Sequence, residues 1–434
     1  MVPPSRSVAA TALQKILSNR KTLYSVLSSE LERLPESRDR AFTQELVYGV
    51  MRWYWNLIPQ LRYLLRRPLR HRDQDVEMLL LIGLYQLFYL TTPTHAAVAA
   101  TVSACDALHK TWAKGLVNAT LRNAIRQRDD LKQTAAASIS GRTAHPEWFI
   151  NAVQKDWPDD WHAILAANNK HPPFTIRVNP QKNSREQYLD LLSKSGLTAH
   201  KTYYADQGIT LEDPIPVAAL PNFEKGSVSV QDEAAQLAAH LLELPMQGQV
   251  LDACAAPGGK TAHILETCSD QLKVVAIDQS KHRVARLEHT LRRLSLKACV
   301  HICDAATCEN WWDGVKFDRI LIDAPCTGSG VIRRRPDIKI HRELDDVNRL
   351  VEQQERLLNT LWPLLRPGGK LVYATCSLLN AENDGVISKF IASTNQARID
   401  RIDAEWGTST DYGRQIITGD MNMDGFYYAR IVKE

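Results

Sequence analysis

The chain has 434 residues, 44% of them hydrophobic and 24% charged, with 20 glycines and 20 prolines. That is ordinary globular composition and long enough for two or three domains, which excludes a disordered, fibrous or low-complexity protein. Net charge is only +4, but residues 1–140 carry 19 lysines and arginines against 11 acids, while the remainder carries 34 against 38. A basic first third on a slightly acidic remainder points to a nucleic-acid-binding module joined to something else. The longest apolar stretch, Met78 to Leu90, is interrupted by Gly83 and Gln86. It falls short of the roughly 20 residues that cross a bilayer. The opening MVPPSRSVAATALQKIL lacks the apolar core of an export signal, so a cytoplasmic protein with reduced cysteines and no membrane partner is expected.

In chain order, the first 128 residues predict helix after helix. Val8, Ala12, Ile16 and Leu17 share one helical face, and Leu46, Val47, Val50, Trp53 and Tyr54 share another within a helix from about Asp39 to Leu65. Further helices are expected from about Gln74 to Leu90, Pro93 to His109 and Trp112 to Gln127. The run Asp129 to Thr143 (DDLKQTAAASISGRT) reads as a linker. From His145 to Glu224 the pattern is mixed. Trp148, Val153 and Trp157 look helical, and Thr175 to Val178 reads as a strand. The expected division is thus an all-α domain at 1–140, a small α/β domain at 141–225 and an α/β domain at 226–434.

In the last domain short apolar runs end in a polar residue: Gln249–Asp252, Val274–Asp278, Val300–Asp304, Ile320–Asp323 and Leu371–Thr375. Amphipathic helices separate most of them, as in Val284, Leu287, Leu291 and Leu294. This alternation predicts a doubly wound parallel sheet, whose ligands sit at the carboxyl ends of its strands. Four runs end in Asp and the fifth leads to Thr375-Cys376-Ser377, so acids and a cysteine should converge.

After the first of these strands comes Asp252-Ala253-Cys254-Ala255-Ala256-Pro257-Gly258-Gly259-Lys260-Thr261. A glycine turn opening a helix offers backbone N–H groups to an anion. Cys254 replaces the first glycine of a phosphate loop, and a dinucleotide fingerprint is missing its glycines. A nucleotide-like ligand without a polyphosphate fits better, namely S-adenosylmethionine. The candidate cofactor residues are Cys254, Ala255, Ala256, Pro257, Gly258, Gly259 and Lys260, with Asp278 for a ribose diol, Asp304 for an adenine amino group, and Asp323. Lys260 could meet the methionine carboxylate or a catalytic group. Cys326, in DAPCTGSG, and Cys376 both follow a strand end, and two thiols there point to a nucleophile. Cys299, Cys303 and Cys308 with His301 fit no standard zinc spacing, so no metal is expected.

The motifs DACAAPGGKT, DAPCTGSGVIRRRPD and ATCSLLNAEND resemble those of the S-adenosylmethionine-dependent RNA (cytosine-5)-methyltransferases. SRDRAFTQELVYGVMRW, HAAVAATV and GLVNATLRN are similar to the NusB-type RNA-binding domain, a fusion found in the Fmu/Sun group that acts on small-subunit ribosomal RNA. The resemblance implies a NusB-like N-terminal domain and a Rossmann-like catalytic domain. It implies that Cys376 is the nucleophile, that Cys326 assists release, and that Asp323 hydrogen-bonds the cytosine. Spacing alone leaves the choice of cysteine open. The expected partner is ribosomal RNA, free or partly assembled, with the chain a monomer. Rival readings are the same chemistry on transfer RNA, a non-catalytic NusB-like RNA-binding factor, and an NAD-dependent or nucleotide-hydrolysing enzyme. A further RNA contact is expected, phosphates on Arg333, Arg334 and Arg335. Trp53, Tyr54 and Trp55 lie close to basic residues that could favour base stacking, but their helical spacing makes core packing the favoured reading. A final DGF segment at Asp424-Gly425-Phe426 also resembles the family, with the fit of residues 404–421 left open.

Overall fold

The structure, a computed structural model, describes residues 3–19 and 21–434. Met1, Val2 and Arg20, which enter the reading of the N-terminus and its charge, lie outside the described residues. The chain forms two compact units, 1–170 with 332–342, and 171–331 with 343–434.

The first unit is helical: α1 (Ser5–Asn19), α2 (Leu23–Leu31), α3 (Ser37–Leu64), α4 (Gln74–Tyr89), α5 (Thr94–Ala107), α6 (Lys114–Arg126), α7 (Arg128–Ala136), α8 (Ile139–Thr143), α9 (Glu147–Asp156) and α10 (Trp161–Asn168). The 3.6-residue periodicity set α3, α4, α5 and α6 within about two residues of these bounds and picked out the buried face of α1. α4 is buried along nearly its whole length, with Leu79, Leu80, Leu81 and Ile82 fully inaccessible. That explains its apolar run, since a helix apolar all round is a core helix. Gly49 lets α3 approach α4, for a Cβ there would lie 2.0 Å from Cζ of Tyr85. The run Asp129 to Thr143, expected as a linker, forms α7 and α8 instead. Leu131 and Ala135, four residues apart on α7, and Gly141 of α8 are buried, and those few contacts are enough to dock both helices.

The second unit holds two sheets. β1 (Phe174–Val178), β2 (Ala199–Lys201), β3 (Gly208–Leu211) and β4 (Val228–Val230) pair antiparallel in the order β2-β3-β1-β4. Helix α11 (Arg185–Lys194) packs Tyr188 and Leu192 against Ile176 and Ile209. It starts with a capping box, Gln187 N–H to Ser184 Oγ at 3.2 Å and Ser184 N–H to Gln187 Oε1 at 2.8 Å.

The larger sheet has nine strands. They alternate with α12 (Glu233–Leu241), α13 (Gly259–Thr267), α14 (Lys281–Leu294), α16 (Leu344–Leu361) and α17 (Asp384–Ser393). Its parallel core is β5 (Gly248–Ala253), β6 (Leu272–Ile277), β7 (Cys299–His301), β8 (Phe317–Asp323) and β9 (Leu365–Thr375), in the order β7-β6-β5-β8-β9. Strand β13 (Phe426–Lys433) runs antiparallel to β9. The period-two alternation of each strand shows directly. Leu251, Ile320, Ile322, Leu371 and Tyr373 pack with Leu357, Leu358 and Phe390 of α16 and α17. Their neighbours Val250, Leu321, Val372 and Ala374 pack with Leu237 and Ile264 of α12 and α13. The sheet is therefore covered on both faces, as the near-continuous apolar strands require. The order reverses between β5 and β8, a topological switch point that opens a crevice at their carboxyl ends.

Residues 404–421 contribute a small hairpin of β11 (Thr408–Ser409) and β12 (Arg414–Ile416), with β12 pairing β13; β10 (Ala397–Ile399) pairs the other end of β13. Between β8 and α16 the chain enters the helical unit over 332–342, which includes the short helix α15 (Ile338–His341). There Lys339 is buried, its Nζ donating to Arg52 O at 2.7 Å, Ala144 O at 2.9 Å and Asn169 Oδ1 at 2.6 Å. Among the described residues no helix is long and apolar enough to cross a membrane.

Candidate active site

The crevice collects the residues that the sequence singled out. After β5 the backbone turns at Cys254 (φ 66°), passes a cis Ala256–Pro257 bond and reaches Gly258 at φ 100° before α13 begins. Gly258 is the one position of this turn that only glycine adopts without strain. Its carbonyl accepts the first bond of the helix, from Ala262 N–H at 2.9 Å. The N–H groups of Gly259, Lys260 and Thr261 are thus left without intrahelical acceptors, an anion cradle. Asp252 lies just before the turn and is fully buried. Its Oδ2 accepts from Thr261 Oγ1 at 2.6 Å, and among the described residues its Oδ1 has no hydrogen-bond partner. Burial raises this carboxyl to a pKa of about 7. Burial likewise pushes the Cys254 thiol upward.

Asp278 follows β6 and faces the same turn. Its Oδ2 accepts from Ala256 N–H at 3.2 Å and pairs with Arg283 at 3.2 Å, while Oδ1 accepts from Ser280 N–H at 3.0 Å. Asp304 lies three residues past the end of β7. It accepts from Ala306 N–H at 2.9 Å and pairs with Arg356 at 2.9 Å, with its carboxylate still about a third exposed. Both acids therefore order the backbone around the crevice, and Asp278 Oδ1 and both Asp304 oxygens retain a further lone pair.

Lys260 does not stand alone at the helix start. Its Nζ sits 2.8 Å from Asp323 Oδ1, at the end of β8, and 5.1 Å above the ring of Phe426. Burial works against the ammonium, but Asp323, with smaller contributions from Cys376 and Asp252, outweighs it and leaves Lys260 above its ordinary value. Lys260 is therefore charged, paired, and within electrostatic reach of a cysteine.

The two thiols meet. Cys326 Sγ and Cys376 Sγ are 3.4 Å apart, both partly exposed. The hydrogen bond shared with Cys376 and then burial push the Cys326 thiol well above its usual value, so Cys326 keeps its proton. The loops carrying them are joined by backbone bonds from Gly330 N–H to Cys376 O at 2.9 Å and from Gly425 N–H to Gly330 O at 2.8 Å. A Cβ on Gly425 would lie 2.7 Å from Leu378 Cδ2 and 2.8 Å from Gly330 Cα, which explains the glycine in the DGF segment.

Three residues with no role in the sequence reading prove central. Buried Glu382 of AEND accepts from Thr327 N–H at 2.8 Å, Thr327 Oγ1 at 2.6 Å, Ser377 Oγ at 2.5 Å and Gln354 Nε2 at 3.2 Å. Thr327 and Ser377 each directly follow a cysteine, so one carboxylate fastens both thiol loops. Burial raises its pKa. Arg177 of β1 is fully buried, pairs with Glu266 of α13 at 3.0 Å and donates to Gly259 O at 2.9 Å, bracing the glycine turn. Only the AEND motif hinted at one of these, because Arg177 and Glu266 are 89 residues apart.

One sequence reading is corrected. Arg333 is 2% exposed within the helical unit and cannot reach a phosphate from there, whereas Arg335 is exposed. Trp53 stacks on Tyr89 with centroids 4.5 Å apart, and Trp55 donates its indole N–H to Lys339 O at 3.0 Å. These rings are committed to packing.

Comparison with known proteins agrees with this arrangement. Three family profiles match in succession: the NusB family over 3–126, the ferredoxin-like domain of RsmF/B-like methyltransferases over 145–218, and 16S rRNA methyltransferase RsmB/F over 239–432. The chain is 48% identical to ribosomal RNA small subunit methyltransferase B of Pseudomonas syringae pv. tomato, covering 99% of this chain and 96% of that protein. The crystal structure of PH0851 superposes with a TM-score of 0.85 over the whole of both chains at 21% identity, a likeness of fold. A methyltransferase homolog protein from Pyrococcus horikoshii gives 0.61 at 27% identity, covering 68% of this chain and 97% of that one. With the helical unit, the ferredoxin-like sheet and the crevice all matched in order, the chain belongs to the RsmB/F family of ribosomal RNA small subunit methyltransferases and is an enzyme.

Proposed function

We propose that the chain transfers a methyl group to C5 of a cytosine in small-subunit ribosomal RNA through a covalent bond between Cys376 and C6. The observation that carries this reading is the pair of thiols 3.4 Å apart beside the Lys260–Asp323 ion pair. C5 of cytosine is a poor nucleophile until a thiolate adds to C6 and makes the ring enamine-like. Cys376 suits that role because the charged Lys260 lies within electrostatic reach of it. Cys326, held protonated, is placed to exchange a proton near Cys376 during release. Asp323 accepts a hydrogen bond from a protonated N3, which draws electron density away from C6 and favours addition there. Lys260, with its Nζ 2.8 Å from Asp323 Oδ1, orients that carboxylate. Loss of the C5 proton and elimination of the Cys376 thiolate restore the aromatic ring.

The residues present fit S-adenosylmethionine. The glycine turn from Cys254 through Ala255, Ala256, Pro257, Gly258 and Gly259 to Lys260 would receive its carboxylate, Asp278 its ribose and Asp304 its adenine, with Asp323 nearby. The buried Asp252 Oδ1, without a hydrogen-bond partner, leaves acceptor capacity beside that turn. When bound, this cofactor supplies the electrophilic methyl group that C5 accepts. The reading keeps three parts, 1–140, 141–225 and 226–434, in a monomer acting in the cytoplasm.

Cys326→Ala expressed in bacterial cells tests it. A slow-migrating, nuclease-sensitive protein band on a denaturing gel is expected, absent from Cys326→Ala/Cys376→Ala, and its RNA should be small-subunit ribosomal RNA. A band formed by Cys376→Ala instead would reverse the two roles. No band in either single variant, with S-adenosylmethionine bound normally, would overturn the covalent route.

A further inference from the structure

The helical unit contains a groove of about 1110 Å³ that the site above does not use. One wall is the irregular stretch between α3 and α4, RRPLRHR, which carries exposed Arg66, Arg67, Arg70 and Arg72. The other wall is the turn before α6 and that helix's first turns. Trp112 stands there 56% exposed, the most open tryptophan among the described large hydrophobic residues. Leu65, Leu69 and Leu116 complete an apolar lining between the charges. Asp73 is the one acid of the lining, and Lys110 neutralises it at 2.7 Å. Among the described residues no carboxylate pairs with Arg66, Arg67 or Arg70, although the helical unit has acids elsewhere that its other cations use. Four guanidinium groups held on one short irregular segment repel one another, and an exposed indole beside them costs apolar hydration. A polyanion that also carries flat aromatic faces relieves both.

We propose that this groove binds a single-stranded segment of RNA, with its phosphates on Arg66, Arg67, Arg70 and Arg72 and an unpaired base stacked on Trp112. An acidic peptide would satisfy the arginines but bring no ring for the indole. An RNA duplex keeps its bases stacked inside, so an exposed tryptophan favours an unpaired segment. The inference rests on the ribosomal RNA substrate proposed above, and adds where and in what form the helical unit holds it. It also replaces Trp53 and Trp55, which packing has claimed.

The test uses the full chain with transcribed, protein-free small-subunit ribosomal RNA, and follows filter binding from about 50 to about 200 mM salt. Calorimetric binding of S-adenosylmethionine and circular dichroism serve as controls. Replacing all four arginines by glutamine should reduce the slope of log affinity against log salt by about 3, at roughly 0.7 per lost phosphate contact to a single strand. Methyl transfer should show a raised KM for RNA with kcat retained. Trp112→Ala should weaken binding about tenfold with little change of slope, and Trp112→Phe should restore most of it. Wild-type affinity and slope in both variants would overturn the proposal and leave the groove to an acidic polypeptide. A changed slope with Trp112→Ala behaving as wild type would overturn base stacking. If the unaltered protein neither binds nor methylates this RNA while binding S-adenosylmethionine, the substrate reading itself fails, a result distinct from the first.

Discussion

At the scale of single residues, the arrangement turns on carboxylates whose burial is compensated only in part. Glu382 accepts four hydrogen bonds and ties the residue after Cys326 to the residue after Cys376. Removing it frees both loops without touching either thiol. Glu382→Ala is therefore expected to slow methyl transfer about a hundredfold, the scale of a misplacement near 1 Å, while S-adenosylmethionine affinity stays within a factor of about two. In the Cys326→Ala background the same change should slow adduct formation. Normal adduct formation would show that the thiol loops hold without it. Asp252 gives a pH signature. Its folded pKa of about 7 lies above the ordinary carboxylate value, so unfolding releases a proton between about pH 4 and 7. Its contribution to stability is fully present below the unfolded pKa and is lost as pH rises through the folded one. Asp252→Asn should remove this fall, worth a few kcal/mol, in denaturant titrations from about pH 4.5 to 7.5. An unchanged pH profile would mean that Asp252 ionises normally.

At the scale of elements, β1 and α13 are joined by a buried ion pair that holds the glycine turn through Gly259 O. Breaking such a pair leaves a desolvated charge, so Arg177→Ala should cost about 3–5 kcal/mol. Arg177→Met with Glu266→Leu should recover most of that stability but not the bond to Gly259 O. The double variant is thus expected to melt near wild type and still bind S-adenosylmethionine several-fold more weakly. Full cofactor affinity in it would show that the turn needs no brace. The elements themselves were largely legible in the sequence. Helices α1 and α3 to α6 follow from a period of 3.6, because each buries a face whose spacing the chain must honour, and strands β5, β6, β8 and β9 follow from short apolar runs buried on both faces. The glycine turn, both cysteines and the strand-end acids were legible too, being contiguous with those strands. What escaped was non-local or side-chain-specific. Arg177 is one arginine in a five-residue strand, and only the fold places it over α13. Helices α7 and α8 were hidden by a polar run whose few apolar residues suffice for docking. Trp112 escaped too, since periodicity reports a face and not how much of it stays uncovered.

At the scale of the whole molecule, the chain's path matters more than any one contact. The segment 332–342 leaves the sheet unit directly after the Cys326 loop and completes the core of the helical unit before α16 begins. Its anchors are long-range: Leu23 N–H donates to Asp337 Oδ2 at 3.1 Å, and Arg52 donates to Arg333 O at 3.0 Å. Lys339 alone satisfies Arg52 O, Ala144 O and Asn169 Oδ1. Two of those partners lie in α3 and just past α8, so the lysine pins helices that are distant in sequence. Replacing it removes three hydrogen bonds, and a buried acceptor left without any partner costs about 1–3 kcal/mol. Lys339→Met, which keeps much of the volume, is expected to destabilise the helical unit by about 3 kcal/mol or more. Hydrogen exchange in the full chain should locate that loss, with amides of α3 and α8 exchanging faster while those of β5 and β8 keep their protection. Calorimetry should find S-adenosylmethionine binding intact, because the glycine turn and its acids belong entirely to the other unit. Uniformly faster exchange in both units would instead mean that they unfold as one cooperative body, and that the inserted segment transmits the damage to the sheet.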